Sequence, residues 1–259
     1  MSDRKAEGEG TVQAVLLAAG YSTRLLPLTR NQPKSLLTLG GRPIMDYVME
    51  GLAGVPGIQG YTVVTNAKFH DHFVEWAENR EFDRPLEILN DGTTSNENRL
   101  GALADLRFVL EHSERTATAD RIYLAATDNV PPFDLSGIAE LSDRKGGSAV
   151  FACRTDDRER LERSGVARLD DEDRIVEFEE KPDEPRSNLV VPPFYVYVPE
   201  GLSLLDEYLE GDNDPDAPGN FLNWLIHRHT VWARPVERPP RDIGTVDSYR
   251  RAQREFESS

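Results

Sequence analysis

Residues 12–17, Val-Gln-Ala-Val-Leu-Leu, are apolar almost without interruption and run into Ala18-Ala19-Gly20. A short apolar run that ends on small residues is the pattern of a strand buried on both faces and opening into a loop. Pro43 then starts a helical spacing through Ile44, Tyr47, Val48 and Leu52, and 61–64 returns to a strand. The alternation continues with a helix over 71–79, a strand over 86–89, a helix over 98–111 and a strand over 122–126. Strands alternating with helices predict an α/β protein: a Rossmann-like, mostly parallel sheet flanked by helices, with ligands at the carboxyl ends of the strands.

From about Gly165 the texture changes. Shorter strands are expected over 165–169, 175–178 and 190–198, with helices over 202–209 and 221–227 and a last one over 246–256. This half reads as a smaller sub-domain covering the ligand site. The Asp, Gly and Pro cluster at 211–219 reads as an exposed loop, not a linker. The expected organisation is a flexible leader over 1–10 and a single domain over 11–259, a size that suits one large α/β unit.

Composition narrows the function. Residues 1–10 are polar and lack the apolar segment of a secretory signal, and no apolar run is long enough to span a bilayer, so a cytoplasmic protein without membrane partners is expected. A formal charge of −16 argues against nucleic acid, whose binding depends on many Lys and Arg contacts to phosphate. The single cysteine, Cys153, has no partner for an intramolecular disulfide and reads as a buried thiol. Lysine occurs only at 5, 34, 68, 145 and 181, so a lysine inside a motif stands out.

Two lysines are in motifs. Gly20-Tyr21-Ser22-Thr23-Arg24 follows the first strand, and Arg24, Thr29 and Lys34 share its connection to the next helix. Backbone N–H groups beside a glycine, with a bidentate cation, suit a triphosphate. A Gly-Lys-Ser/Thr is absent, as are the second and third glycines of the dinucleotide fingerprint, which excludes both of those phosphate loops.

Residues 17–29, Leu-Ala-Ala-Gly-Tyr-Ser-Thr-Arg-Leu-Leu-Pro-Leu-Thr, with Pro33-Lys34-Ser35-Leu36-Leu37 and Gly41-Arg42-Pro43-Ile44 behind them, resemble the signature of the sugar-1-phosphate nucleotidyltransferases. Ser22 stands where that family usually has glycine. The resemblance continues through Thr127-Asp128-Asn129, Phe178-Glu179-Glu180-Lys181-Pro182 and Arg241-Asp242-Ile243-Gly244, over about 12–249. It implies that 11–150 mainly binds nucleotide, through Ala18, Ala19, Gly20, Ser22, Thr23 and Arg24, with Ser95 and Gly101 in the loop that reads the base. Arg24 would grip the triphosphate, Lys34 would sit near the reacting phosphates, and Asp128 and Asp242 would hold Mg²⁺. The acceptor-binding half, 151–259, would offer Gly165, Glu180, Lys181 and Asn188, with Lys181 on the acceptor phosphate and Asp128 also facing substrate.

The implied reaction joins a nucleoside triphosphate to a sugar-1-phosphate, or to a sugar-like phosphate such as that of a cyclitol, and releases pyrophosphate; a homo-oligomer is a further expectation. Taken singly, the same residues have plainer readings. Asp128 could cap a helix or turn, and Glu180-Lys181 could be an exposed ion pair worth under about 1 kcal/mol. A glycosyltransferase and a non-catalytic nucleotide-binding protein are the rivals, and in place of the Asp-x-Asp of the former Thr127-Asp128-Asn129 offers one carboxylate. Thr127 and Pro193 replace residues that are often glycine in the family. They are expected to add bulk near the sugar and to steer selectivity away from glucose-1-phosphate.

Overall fold

The computed structural model describes residues 10–257, so the expected leader, Gly10 apart, lies outside the described residues. Ten strands form the main sheet: β1 Val12–Leu17, β2 Ile58–Thr65, β3 Leu86–Asn90, β4 Arg121–Ala126, β5 Ser148–Arg154, β6 Gly165–Leu169, β7 Ile175–Glu180, β8 Leu189–Val191, β9 Phe194–Tyr197 and β10 Val231–Val236. Their order is β7-β6-β8-β5-β9-β4-β1-β2-β3, with β10 beside β5. In the first half every pairing is parallel, β4 to β1, β1 to β2 and β2 to β3. β9, β8 and β7 run against this direction.

β1 takes the centre because it is apolar on both faces, with Ala14, Val15 and Leu16 fully buried. One face is covered by helices α1 Ile44–Ala53 and α2 His70–Glu78 through Met45, Val48, Leu52, Phe73 and Trp76. The other is covered by α3 Ala102–His112 and by Pro218–Leu225, through Leu103, Leu106, Val109, Phe221 and Leu222. A third cluster, Leu25, Leu37, Leu39, Ile243 and Tyr249, packs the connection after β1 against the last helix, Val246–Glu257. Cys153 is buried in the first of these cores, which pushes its thiol up to about 12.

Several boundaries differ from those expected, each for a local reason. The helix expected over 98–111 starts at Ala102, because Asn96–Asn98 forms a separate 3₁₀ turn and Gly101 sits at φ +96. The strand expected over 190–198 is two strands, broken where Pro192 and Pro193 cannot donate to the ladder. The expected 202–209 helix is divided into Pro199–Leu202 and Leu205–Glu210, and that over 221–227 begins earlier, at Pro218. Among the described residues, no helix is long and apolar enough to cross a membrane.

The proline break positions the site. β9 and β8 lie on the same edge of β5, so 189–197 is one bent strand. On its other edge, β9 pairs with β4 as far as Phe194 opposite Ala125, and Ala126 N donates to Pro193 C=O at 3.0 Å. Two residues further, Val191 faces Gly165 of β6 instead. The end of β4 and the start of β6 are thus set about 7 Å apart along one ruler, at roughly 3.3 Å per residue. Chain leaves β4 at Thr127-Asp128, next to this change of neighbour.

Candidate active site

The loop after β1 is held from below. Asn66, fully buried at the end of β2, donates from Nδ2 to Ala19 C=O at 2.7 Å and accepts from Phe69 N at 3.1 Å. Thr65 Oγ1 donates to Ala18 C=O at 3.4 Å. Ser22 lies at φ 50, ψ 44, the left-handed region where glycine is at ease and a serine is tolerated at a cost of about 1 kcal/mol. Its carbonyl accepts from Thr29 Oγ1 at 2.9 Å and Leu25 N at 3.0 Å, which fixes the turn. Thr23 and Arg24 follow in a 3₁₀ turn and are exposed at the cleft.

Lys34, in the 3₁₀ turn Lys34–Leu36, places its ammonium on Asp128 Oδ2. Asp128 Oδ1 accepts from Asn129 Nδ2 at 2.8 Å, and the Asp128 carbonyl accepts from Ile243 N at 3.0 Å. Burial pushes the Asp128 carboxyl up, but the Lys34 charge and the bonds from Lys34 and Asn129 more than offset this and leave it below its ordinary value. Asp242 reaches the same place because Arg241–Asp242 pairs antiparallel with Asn129–Val130, setting Asp242 opposite Asn129. Its carboxyl is raised by burial and by the Asp128 charge, against the pull of Lys34, Arg160 and Arg24. Five residues far apart in sequence therefore share one electrostatic cluster.

The donor set fits a hard divalent cation. The two carboxylates, Asp128 half-buried and Asp242 open to solvent, repel one another, and only Asp128 has an ammonium seated on it. Among the described residues no group of three or more His, Cys, Asp or Glu could hold a metal alone. Mg²⁺ is content with one or two carboxylates when substrate phosphates and water complete its shell.

Across the gap, Glu180 closes β7 opposite Gly165. A Cβ on Gly165 would collide with the Phe178 ring, and one on Gly219 with the Glu180 carboxylate, so both glycines make room for this strand end. The Glu180 carboxylate thereby sits at the N-terminus of Pro218–Leu225, whose dipole favours a negative charge. Burial raises the Glu180 carboxyl, Lys181 lowers it and Asp214 raises it. Lys181 adopts φ 49, donates its N–H to Ser164 C=O at 3.1 Å, and holds its ammonium 3.6 Å from Glu180 Oε1 while remaining largely exposed. Asn188 stands three residues before Val191 and is not brought to this group. Its carbonyl accepts from Thr155 N, and its side chain meets Arg154.

Ser95 caps the Asn96–Asn98 turn in a reciprocal box with Asn98, the role its residue type favours. Gly101 is buried, and a Cβ there would lie 3.0 Å from Pro215 C=O and Asp216 Oδ1, so its missing side chain admits the 211–217 loop, which Arg99 also grips through Asp216. Thr127 corrects an expectation. It is 2% exposed, with Oγ1 paired to Ser35 Oγ at 2.5 Å and donating to Leu17 C=O at 3.0 Å, so its side chain is turned into the protein and adds no bulk to a sugar wall. Asn66, Ser35 and Arg160 escaped the sequence reading. The only signal for Asn66 is a polar residue directly after an apolar strand.

The likeness of the chain to known proteins lies in its family and its fold. The family model described as Nucleotidyl transferase matches residues 13–259. A glucose-1-phosphate adenylyltransferase from Thermotoga neapolitana is 29% identical over 95% of this chain and 61% of its own length. A UTP–glucose-1-phosphate uridylyltransferase from Haloferax volcanii is 29% identical over 73% of this chain and 72% of its own. In fold, a UDP-glucose pyrophosphorylase solved with UDP-glucose superposes with a TM-score of 0.78 at 19% identity, covering 96% of this chain and 99% of that one. The chain spans about three fifths of the adenylyltransferase it matches. With the match running from β1 to the last helix, the chain belongs to the nucleotidyl transferase family.

Proposed function

We propose that the chain transfers a nucleotidyl group from a nucleoside triphosphate to a sugar-1-phosphate or a sugar-like phosphate, releasing pyrophosphate and forming a nucleoside-diphosphate sugar. The observation that carries this reading is the convergence of Lys34, Asp128 and Asp242 beside the Ser22–Arg24 turn, with Glu180 and Lys181 on the opposite wall. An acceptor-phosphate oxygen attacks the α-phosphorus in line. The new P–O bond forms as the bond to the β-phosphate breaks, and pyrophosphate leaves with the electron pair.

In this reading the backbone amides of 20–24 cradle the triphosphate and the Arg24 guanidinium holds the departing pyrophosphate, a contact of the kind worth about 2.7–4 kcal/mol in the transition state. Lys181 orients the acceptor phosphate, and Glu180, seated on its helix terminus, accepts from acceptor hydroxyls. Lys34 moves from Asp128 to the phosphates when substrate enters. A Mg²⁺ held by Asp128 and Asp242 would supply charge neutralisation at the α-phosphate. Residues 11–150 thus serve mainly the nucleotide and 151–259 mainly the acceptor. Triphosphates and sugar phosphates are cytoplasmic metabolites, which places the proposed reaction there. The test is to incubate the chain with each of the common triphosphates, Mg²⁺ and a panel of sugar-1-phosphates and cyclitol phosphates, and to measure pyrophosphate. No pyrophosphate from any pair, with hydrolysis or transfer from a nucleoside-diphosphate sugar instead, would refute it.

A further inference from the structure

On its C-terminal side Asp242 is held by a two-residue strand on Asn129–Val130, by the bond from Ile243 N to Asp128 C=O and by the buried Ile243 side chain, with Arg241 paired to Glu255. The two backbone anchors belong to the nucleotide half. The segment leading in, Glu237-Arg238-Pro239-Pro240, has two prolines without N–H groups and so little means of tying itself down. Its last carbonyl, that of Pro240, accepts from Nη2 of Arg160. Arg160 lies on the short helix Arg158–Glu162, whose cap is Asp157 Oδ1 accepting from Arg160 N at 3.2 Å. Two residues beyond that helix, Ser164 C=O receives the N–H of Lys181, and Gly165 faces Glu180. One side chain therefore joins the element that builds the acceptor wall to the loop that carries Asp242.

The guanidinium is half-buried beside Asp242. Burial lowers its pKa while the Asp242 charge raises it. A cation next to a metal carboxylate competes with the metal for charge, whereas a donor that fixes the carboxylate's backbone favours the metal. The two effects have opposite signs in metal affinity.

We propose that Arg160 is a positioning residue for the metal centre: its hydrogen bond to the Pro240 carbonyl, made from the acceptor side, fixes the segment that aims Asp242 at Asp128. The proposal rests on the reading of Asp128 and Asp242 as the metal pair. Outer contacts that orient metal ligands commonly change affinity 10- to 100-fold when removed; a backbone contact two residues from the ligand is expected at the lower end, about tenfold.

The experiment is Mn²⁺ binding to the full chain, without substrates, followed by loss of the free-ion electron paramagnetic resonance signal. Asp242→Asn should weaken binding strongly. Arg160→Ala should raise the Mn²⁺ dissociation constant about tenfold, and Arg160→Lys, which keeps a donor, should recover most of that. On the Asp242→Asn background Arg160→Ala should add almost nothing, since contacts in one network are not additive. Tighter Mn²⁺ binding in Arg160→Ala would show that the guanidinium only competes for charge and would overturn the proposal. So would an unchanged constant beside a strong Asp242→Asn effect, whatever the change in melting temperature. An unchanged constant in Asp242→Asn removes the metal-pair reading and the inference with it. Should the alanine variant not fold, Arg160→Met, which keeps the apolar stem and removes the donor, carries the same comparison.

Discussion

Asp105 offers the sharpest test of the electrostatics around the nucleotide loop. It lies in the first turn of α3, 6% exposed, with Oδ1 buried and unpartnered among the described residues, as is Oδ2 of Asp91. Burial, then the Asp91 charge, push the Asp105 carboxyl up to about 8 from an ordinary 3.8. At neutral pH Asp105 therefore holds its proton. The folded chain keeps that proton between pH 3.8 and about 8 while the unfolded chain has lost it, so stability falls as pH rises through this window and levels off above it. At about 1.4 kcal/mol per unit, the protonated carboxyl costs folding up to roughly 4 kcal/mol at pH 7 relative to pH 4. Asp105→Asn keeps the shape and a donor toward Asp91 without the titration. Urea unfolding of both proteins at pH 5, 6, 7 and 8 should give a stability difference in favour of the variant that grows with pH, approaching 4 kcal/mol across the series. A difference that is flat with pH, or a variant less stable at pH 8, would refute the proton held on Asp105.

The remaining predictions concern the cleft. Asp128→Asn and Asp242→Asn should each lower turnover at least about tenfold, a barrier rise near 1.4 kcal/mol, with far-ultraviolet circular dichroism unchanged. Lys181→Ala should weaken acceptor binding far more than triphosphate binding by calorimetry, and Arg24→Ala should act on the triphosphate and turnover; equal losses in Lys181→Ala would count against its place on the acceptor side. Asn66→Ala strips one buried bond from the loop after β1 and one from the turn at Phe69, and should cost about 1–3 kcal/mol per unsatisfied group in denaturant unfolding, while raising KM for the triphosphate. Thr127→Val should destabilise by about 1–2 kcal/mol, yet leave the ranking of acceptors by kcat/KM unchanged, because its hydroxyl faces Ser35 and Leu17.

What the sequence made legible follows from how each feature is encoded. β1 and the end of β4 were readable because a strand buried on both faces must be apolar throughout, and the motifs attached to such strand ends inherit their position. Val231–Val236 carries an arginine and a proline and does not look like a strand; it forms because all of β5 is available beside it. Arg160 sits in Asp156-Asp157-Arg158-Glu159-Arg160, a charge run that reads as solvated surface, and only the fold reveals that one member turns inward. Thr127 was misplaced for a related reason: a loop residue at a strand end has no periodicity to say which way it points. Ser22 worked the other way, since its departure from glycine marked a backbone position that the structure places in the left-handed region.

The placement of the cleft itself depends on a pair of residues with no chemistry of their own. An unbroken strand over 189–197 would carry donors on both edges along its length, and β4 or β6 could extend alongside it without a gap. Pro192 and Pro193 remove two consecutive donors, while the Pro193 carbonyl still accepts from Ala126 N and ends β4 there. The neighbour on that edge then changes to β6, beginning at Gly165. Asp128 follows two residues after the end of β4, and Gly165 brings Glu180 to the start of β6 by the register of β6 with β7. The distance between the proposed metal carboxylate and the proposed acceptor wall is thus fixed by the count of residues between Pro193 and Val191. An insertion or deletion there would move the two walls apart or together by a strand step of about 3.3 Å, which no side-chain substitution in either motif can do.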